Sequence, residues 1–271
     1  MKRIKEAFEK KPGGLLSIFV TAGFPNLNDT VEILKELEAN GVEMVELGIP
    51  FSDPMADGPA IQAASLRAIR SGMTLKGSLE IAAQFREKHK DVPLILMGYY
   101  NPIYRFGVEA FLSEAKAAGA DGLIIVDLPP EEDVELCDPS LQAGIDFIRL
   151  ITPTTLGDRL PFVLEKASGF IYYVSIAGIT GTKSAHLETI ASAVGRIKHV
   201  SELPVVTGFG IRTPEQAATV ASVGDGAIVG SAVVEIIADA SANNLSSDET
   251  AKKVARFAKS LSVAIAKQTS N

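Results

Sequence analysis

The sequence is poor in several features that mark other classes of protein. Its only cysteine, Cys137, has no second cysteine with which to form an internal disulfide, and this favours a reducing, cytoplasmic setting. No apolar stretch is long enough to span a bilayer, and the basic N-terminus lacks the apolar run of a signal peptide. The net charge of −7 argues against a general nucleic-acid or membrane-surface role. We therefore expect a soluble protein. The negative net charge does not exclude binding of a small anionic ligand, because backbone N–H groups can hold an anion without lysines.

The sequence is rich, by contrast, in apolar strands that alternate with helical patterns. Eight strand-like runs lie at residues 15–23, 45–49, 92–100, 122–130, 146–155, 170–178, 203–210 and 226–237. Continuously apolar runs of this kind are typical of a parallel sheet that is covered by helices. Eight such units predict an α/β fold of the (β/α)8 TIM-barrel type, a single domain over residues 1–271 with additional helices. A doubly wound open sheet is the alternative, but no Gly-rich fingerprint follows the first strand.

Two of the predicted helices have distinctive patterns. Ile4 and Phe8 share one face of a short N-terminal helix, which we expect to pack on the body of the domain. The helix that begins at Glu131 is interrupted by Asp138 and Pro139, which could cap and restart it.

The stretch VELGIPFSDPMADGPAIQ, residues 45–62, places carboxylates after an apolar strand. Strand side chains alternate between faces, so Val45 and Leu47 share one face and Glu46 lies on the other. The strand ends in a proline-rich loop that carries Asp53 and Asp57. This pattern indicates a scaffold that delivers carboxylates to the rim of a pocket. The alternative is that Glu46 lies on a solvated face and both aspartates only form turns.

Glycines and rings cluster at the predicted carboxyl ends of the strands, where a barrel has its active site. Glycines follow strands six, seven and eight, and a helix begins at Ser231. Backbone N–H groups at these turns would hold a phosphate, although glycine is common at barrel turns in general. The remaining rim residues are aromatic or apolar and are either core or a flat slot for a ring: Phe19, Ile61, Tyr99, Tyr172 and Phe209.

The residues for two common kinds of catalysis are missing from these strand ends. His89, His186 and His199 are scattered on predicted helices, so the sequence offers neither a metal cluster nor a histidine base. No lysine lies at a strand end, and Lys183 is in a loop, which argues against a Schiff-base aldolase. A carboxylate pair, a phosphate site and a flat apolar slot remain. This combination favours proton-transfer chemistry on a phosphorylated aromatic substrate.

Several segments together resemble one enzyme family. VELGIPFSDPMADGP is similar to the signature of the tryptophan synthase α subunit. Seven more segments resemble other blocks of that family and occur in the same order: FVTAGFP, GYYNP, DLPPEE, ITPTT, YYVSIAGITG, GFGI and IVGSAVV. The similarity covers nearly the whole chain, and the fold of the family is a TIM barrel, in agreement with the strand count.

The resemblance implies a lyase of tryptophan biosynthesis that cleaves indole-3-glycerol phosphate to indole and glyceraldehyde-3-phosphate. The implied reaction is a retro-aldol cleavage without metal or covalent intermediate, in which Glu46 is the general acid and base and Asp57 accepts the indole N–H. The implied substrate contacts are Phe19, Ile61, Tyr99, Tyr172, Thr180 and Phe209. The implied phosphate contacts are Gly181, Gly210, Gly230 and Ser231.

The resemblance also implies a partner, a pyridoxal-phosphate β subunit that receives indole through a tunnel in an assembly of two α and two β chains. Asp53, Asn101 and Pro129 match positions that face this partner. Pyridoxal phosphate is expected only in the β subunit, so this chain is expected to need no cofactor. The loop of about residues 176–186 would be a lid in which Thr180 meets Asp57. Ala177 departs there from the hydroxyl residue expected in many members.

Two other functions compete with this interpretation. The first is a non-catalytic regulatory subunit that binds a phosphate ligand and activates a β partner; the presence of both Glu46 and Asp57 argues against it. The second is another phosphate-binding barrel enzyme, such as a sugar-phosphate epimerase. Metal dependence would distinguish that enzyme.

Overall fold

One parallel sheet organises the chain. The structure, a computed structural model, describes residues 2–11, 14–174, 183–208 and 210–268, without the side chains of 183–186. Within these ranges all strands belong to a single nine-stranded parallel sheet. The strands are β1 (Leu15–Thr21), β2 (Met44–Gly48), β3 (Leu94–Gly98), β4 (Gly122–Ile125), β5 (Asp146–Phe147), β6 (Arg149–Ile151), β7 (Ile171–Val174), β8 (Val205–Gly208) and β9 (Gly226–Val229).

The sheet closes almost completely into a barrel. Its strand order is β5-β4-β3-β2-β1-β9-β8-β7-β6, so β5 and β6 form the two ends. These two strands are consecutive segments of the predicted fifth strand, separated only by Ile148. Phe147 pairs with β4, whereas Arg149 pairs with β7. The chain therefore passes from one end strand of the sheet to the other at Ile148. The barrel prediction is confirmed, and the open-sheet alternative is wrong.

The strands are followed by helices, as the sequence predicts. The helices of the described residues are α1 (Lys2–Lys10), α2 (Asp29–Leu37), α3 (Pro59–Arg70), α4 (Leu75–Lys88), α5 (Tyr100–Phe106), α6 (Val108–Ala117), α7 (Cys137–Gln142), α8 (Arg159–Leu164), α9 (Lys183–Val200), α10 (Pro214–Ala221), α11 (Ser231–Ala242) and α12 (Ser247–Gln268). Short 3-10 turns lie at Glu38–Asn40 and Pro130–Glu135. None of these helices is long and apolar enough to cross a membrane.

The structure departs from the predicted elements after β3 and β4. The third strand ends at Gly98, and Tyr100 already begins α5, where Pro102 lies in the first turn and favours a helix start. The predicted helix at Glu131 is a 3-10 turn that breaks at Leu136, after which α7 begins with Pro139 in its first turn. The chain is thus interrupted at Leu136, whereas Asp138 and Pro139, the predicted interruption, lie inside the first turn of α7 and do not cap it.

The barrel has a filled interior with one closed end. Inward side chains of several strands form one apolar cluster: Leu15, Met44, Ile95, Ile124, Ile148, Tyr172, Val206 and Ile228. Ile4 of α1 is fully buried in the same cluster, and the rings of Phe8 and Phe170 lie 6.0 Å apart. Helix α1 therefore covers the amino ends of the strands, which confirms the packing predicted for it. Helix α1 does not cover the carboxyl ends of the strands, and the candidate site lies there.

Candidate active site

Glu46 lies inside the barrel on β2. It alternates with Val45 and Leu47, which pack in the outer core, and its side chain is 0% exposed. The hydroxyl group of Ser17 on β1 donates to Glu46 Oε1 at 2.8 Å, whereas Oε2 has no hydrogen-bond partner among the described residues. The alternative that Glu46 lies on a solvated face is therefore wrong.

Burial changes the acidity of Glu46. Loss of water around the carboxyl raises its pKa from 4.5 to about 7, although the hydrogen bond from Ser17 acts in the opposite direction. A buried carboxyl without a paired cation favours its neutral form, because an isolated charge is costly in an apolar setting. Near neutral pH Glu46 can consequently both give and accept a proton.

Asp57 is the second carboxylate of the site. It lies in the loop between β2 and α3, half-buried, and accepts a hydrogen bond from the hydroxyl group of Tyr99. Burial raises the pKa of Asp57 to about 6, and the bond from Tyr99 limits the rise. The backbone N–H of Ala56 donates to the Tyr99 oxygen at 3.2 Å, so Tyr99 also positions the loop.

The structure separates the two aspartates, which the sequence pattern leaves equivalent. Asp53 is exposed, and the hydroxyl of Ser52 donates to its carboxylate at 2.5 Å. Asp57, in contrast, lines a pocket at the carboxyl ends of β1 to β3. Only Asp57 is therefore placed where it can contact a bound ring.

Phe19, Ile61 and Tyr99 line the same pocket as Asp57, so four predicted site residues come together. The sequence analysis missed other lining residues, namely Ser65, Met97 and Val126. It also missed Ser17, although a polar residue at an inward position of an apolar strand is a usable signal. Glu46 lies one inward position nearer the amino end of β2 than Gly48, which lines the pocket.

An inward glycine on β8, Gly208, makes room for an aromatic ring. A Cβ atom on Gly208 would lie 2.3 Å from the hydroxyl oxygen of Tyr172, so this ring occupies the space that a side chain would fill. Tyr172 is almost completely buried, and burial raises its pKa well above the usual value. The nearby charges of Glu46 and Asp57 act in the same direction. Tyr172 is thus a neutral hydroxyl that lies near enough to both carboxylates to interact with their charges.

Three of the four predicted phosphate residues, Gly210, Gly230 and Ser231, follow the ends of the neighbouring strands β8 and β9. The register pairs Gly208 with Ile228, so Gly210 and Gly230 follow at equivalent positions. Gly210 has a φ of +76°, a conformation that glycine adopts without strain. Gly230 precedes α11, a helix of 12 residues that starts at Ser231 without an acidic residue in its first turn or a side-chain cap. Such a helix start attracts anions.

Some predicted site residues lie outside the described residues. These are Thr180, Gly181 and Phe209, together with Ala177 and most of the predicted lid loop. The predicted partner residues Asp53, Asn101 and Pro129 are all exposed, and they follow the neighbouring strands β2, β3 and β4. The described residues do not form a group of three or more His, Cys, Asp or Glu side chains that could hold a metal ion.

The fold and the site define a (β/α)8-barrel protein with a buried glutamate and a glycine-rich edge at the carboxyl ends of its strands. Comparison with known proteins narrows this class. The model of the tryptophan synthase alpha chain family matches residues 5–265.

Solved structures agree with this match. The tryptophan synthase α subunit of Legionella pneumophila strain Paris is 38% identical, with 98% of this chain and 99% of that chain covered and a TM-score of 0.90. A second structure of the α chain, from Legionella pneumophila subsp. pneumophila, is 36% identical over 98% of both chains, with a TM-score of 0.89. Mycobacterium tuberculosis tryptophan synthase is 31% identical over 97% of this chain and 98% of that chain, with a TM-score of 0.85.

The chain belongs to the tryptophan synthase alpha chain family. It is a carbon–carbon lyase of tryptophan biosynthesis, and the reaction of its family is the cleavage of indole-3-glycerol phosphate. The family also implies a complex with a β subunit. The function and the family expected from the sequence are thus confirmed.

Proposed function

We propose that Glu46 and Asp57 carry out the cleavage of indole-3-glycerol phosphate as a retro-aldol reaction. The observation that carries this proposal is the fully buried Glu46, whose pKa of about 7 leaves it neutral but easily ionised. Glu46 donates its proton to the indole carbon that bears the side chain. The ring becomes a cation, and its N–H donates to the carboxylate of Asp57.

The second half of the reaction returns the proton. Glu46, now a carboxylate, removes the proton from the hydroxyl group on the carbon next to the ring. The carbon–carbon bond then breaks, its electron pair returns to the ring, and the hydroxyl oxygen becomes the aldehyde oxygen. Indole and glyceraldehyde-3-phosphate leave, and Glu46 is again protonated. Positioned acid–base groups of this kind typically contribute about 10²–10⁴ in rate.

We assign the indole ring to the carboxyl ends of β1 to β3. Phe19, Ile61 and Tyr99 line the same pocket as Asp57 there, and we assign these three side chains to the ring. The pocket itself has a volume of only about 10 Å³, so the ring must extend beyond it. Tyr172 is assigned to the substrate because it lies near both carboxylates. Thr180 and Phe209 complete the proposed contacts on the basis of the sequence alone.

The phosphate group is assigned to the neighbouring part of the mouth, at the ends of β8 and β9. We place it on the backbone N–H groups of Gly210, Gly230 and Ser231, where the start of α11 supplies a partial positive charge. Gly181 belongs to the same proposed set on the basis of the sequence. A backbone site of this type needs no lysine, which suits a chain with a net charge of −7.

We further propose that the partner assembly contains two α and two β chains and that the partner face surrounds Asp53, Asn101 and Pro129. Three exposed apolar side chains support this location: Met55, Tyr104 and Val134, which are 79%, 64% and 70% exposed. Each lies within five residues of one of the predicted partner residues. Large apolar side chains that are exposed together often mark an interface.

The remaining proposals concern the chain as a whole. We infer that one catalytic domain over residues 1–271 carries both the reaction and the partner face. We also infer that it works in the cytoplasm and needs no cofactor of its own, with pyridoxal phosphate held by the β subunit. A purely regulatory role is disfavoured, because a buried, unpaired carboxyl is costly to keep without a chemical purpose.

The test of the proposed mechanism is Glu46→Gln. This change keeps the size and the hydrogen bonding of the side chain but removes the exchangeable proton, so kcat should fall by at least about a hundredfold. Single-turnover cleavage of indole-3-glycerol phosphate measures the chemical step, and binding of a non-cleavable analogue should stay within a few-fold of the wild type.

A matched control is available on the same stretch of chain. Glu43→Gln makes the same change just before β2, where Glu43 accepts a bond from the N–H of Leu16 at 2.9 Å, far from the mouth of the barrel. This control should retain turnover. Near-normal turnover by folded Glu46→Gln would show that another group moves the proton.

A further inference from the structure

Ser17 makes a buried contact to which the reaction described above assigns no role. Its hydroxyl donates to Glu46 Oε1 at 2.8 Å, and both side chains are 0% exposed. The two residues are 29 positions apart in sequence and lie on neighbouring strands. A buried serine that bonds a second buried polar group is a specific arrangement, because each of the two groups would be costly alone.

The register shows from which side Ser17 reaches the carboxyl. Phe19 pairs with Glu46, whereas Ser17 pairs with Met44. Ser17 therefore lies one inward position nearer the closed, amino end of the barrel. It approaches Glu46 from beneath, away from the pocket that Phe19 and Asp57 line at the other end.

This approach makes the two oxygens of Glu46 different. Oε1 accepts the hydrogen of Ser17, and Oε2 has no partner among the described residues. In neutral Glu46 the carboxyl proton would clash with the serine hydrogen if it were on Oε1. The proton is consequently favoured on Oε2, while Oε1 keeps the character of a carbonyl oxygen that accepts one hydrogen bond.

We propose that Ser17 is a positioning residue for catalysis, which fixes the carboxyl of Glu46 so that Oε2 presents the proton to the substrate. The proposal deepens the role given to Glu46 and rests on it. Ser17 itself does not contact the reacting atoms. It acts through Glu46 alone, and this restriction can be tested by combining changes at both residues.

The pH dependence supplies a readout that a merely structural serine would not change. Among the described residues, Tyr172 from β7 is a titratable group that interacts with the charge of Glu46. Tyr172 is not altered by a change at Ser17. The bond from Ser17 lowers the pKa of Glu46, so its removal should raise that pKa above about 7. Because Glu46 must be protonated to start the reaction, the alkaline limb of the kcat profile should move to higher pH.

The experiment compares Ser17→Ala and Ser17→Thr in the complete chain, with kcat and KM for indole-3-glycerol phosphate measured across pH. Ser17→Ala should lower kcat about tenfold, leave KM within about twofold, and shift the alkaline limb upward. Ser17→Thr keeps the hydroxyl and should have the wild-type kcat and the wild-type position of the alkaline limb. If the extra methyl group prevents folding, Ser17→Cys provides a weaker donor with a volume similar to that of serine. Its alkaline limb should lie between those of the wild type and Ser17→Ala.

Two further proteins decide whether Ser17 acts through Glu46. Ser78→Ala removes an equally buried hydroxyl from α4, where Ser78 bonds the carbonyl of Thr74 at 3.0 Å, and should leave kcat and the limb unchanged. The double variant Ser17→Ala/Glu46→Gln should be no slower than Glu46→Gln alone, because the residue through which Ser17 acts is already disabled.

The outcomes separate this inference from the proposed mechanism. An inactive Glu46→Gln together with a normal kcat and limb for Ser17→Ala would overturn the role of Ser17 only. A loss of rate in Ser17→Ala that multiplies with that of Glu46→Gln would also overturn it, since Ser17 would then act independently. Full turnover by Glu46→Gln would overturn both.

Discussion

The phenyl ring of Phe19 lies across the backbone of Gly48, so closely that a Cβ atom on this glycine would stand 2.4 Å from the ring. Gly230 borders Phe19 on another side, where a Cβ would lie 3.3 Å from the Cβ of Phe19. The ring is therefore held between two strand ends that have no side chains. Any displacement of Phe19 from Gly48 must be taken up in the neighbouring pocket.

Gly48→Ala should accordingly damage substrate binding. The added methyl group displaces the ring of Phe19 and changes the shape of the pocket that Phe19 and Asp57 line, so KM should rise by about tenfold, or about 1.4 kcal/mol. Overpacking should also cost about 1–3 kcal/mol of stability. Steady-state kinetics and denaturant unfolding measure the two effects. The control is Gly195→Ala, on exposed α9 backbone where a Cβ meets nothing within 4 Å. An unchanged KM in folded Gly48→Ala would contradict the assignment of the slot.

Ser231→Asp tests the phosphate site without harming the helix. A carboxylate at the first position of α11 is favourable for the helix itself, because it complements the partial positive charge of the helix start. It would repel a bound phosphate by about 4 kcal/mol at 4 Å and an effective dielectric constant of 20, so KM should rise at least tenfold. Ser231→Asn has nearly the same shape without the charge and should bind substrate several-fold better. Equal KM values for the two variants would place the phosphate elsewhere.

The stability of the chain should depend on pH through Glu46. The folded chain holds this proton up to about pH 7, whereas the unfolded chain releases it near 4.5. Between these values the folded state binds more protons, so the free energy of unfolding falls as pH rises. Gln has no proton to lose. From pH 5 to pH 8, Glu46→Gln should therefore gain about 2–3 kcal/mol of stability relative to the wild type.

Urea unfolding of both proteins at these two pH values measures this difference. Asp57 titrates in the same range but is present in both proteins, so its contribution cancels. A stability difference that does not change with pH would mean that Glu46 is ionised throughout the range.

Asp53→Ala should affect the partner and not the chemistry. Asp53 is exposed on the loop that carries Met55, outside the pocket that Asp57 lines. The isolated chain should keep its activity, while activation by added β subunit should weaken several-fold, because charges at the rim of an interface steer association. Asp91→Ala, an exposed aspartate before β3 at the closed end of the barrel, is the control and should leave activation intact. If Asp53→Ala abolished the activity of the isolated chain but left activation by the β subunit intact, Asp53 would have the role that we assign to Asp57, and Asp57 that of Asp53.

Local pattern was sufficient for most of the architecture. The eight apolar runs match the nine observed strands to within one residue at the start of β2, because strands buried in a closed sheet are apolar on both faces. The alternation around Glu46 also predicted its inward face. The sequence pattern did not predict that the fifth strand is divided at Ile148 into β5 and β6. Nothing in the local sequence shows where its hydrogen bonding changes from β4 to β7.

The site was predictable to the extent that its residues follow strands directly. The glycines near β8 and β9 lie at strand ends, which parallel strands bring to one edge, whereas Glu46 and Tyr172 lie within β2 and β7. The family resemblance assigned roles to these residues, and the comparisons confirm the family. The individual roles stay predictions for the experiments above.

The sequence by itself therefore determined the barrel, the edge that carries the site and the strand position of the buried carboxyl. Only the tertiary structure decided which aspartate enters the pocket, that Ser17 bonds Glu46, and that glycines accommodate the rings of Phe19 and Tyr172. The physical reason is distance along the chain. Periodicity reports the environment of a residue within its own strand, whereas these contacts join neighbouring strands 29 or more residues apart and exist only once the sheet has closed.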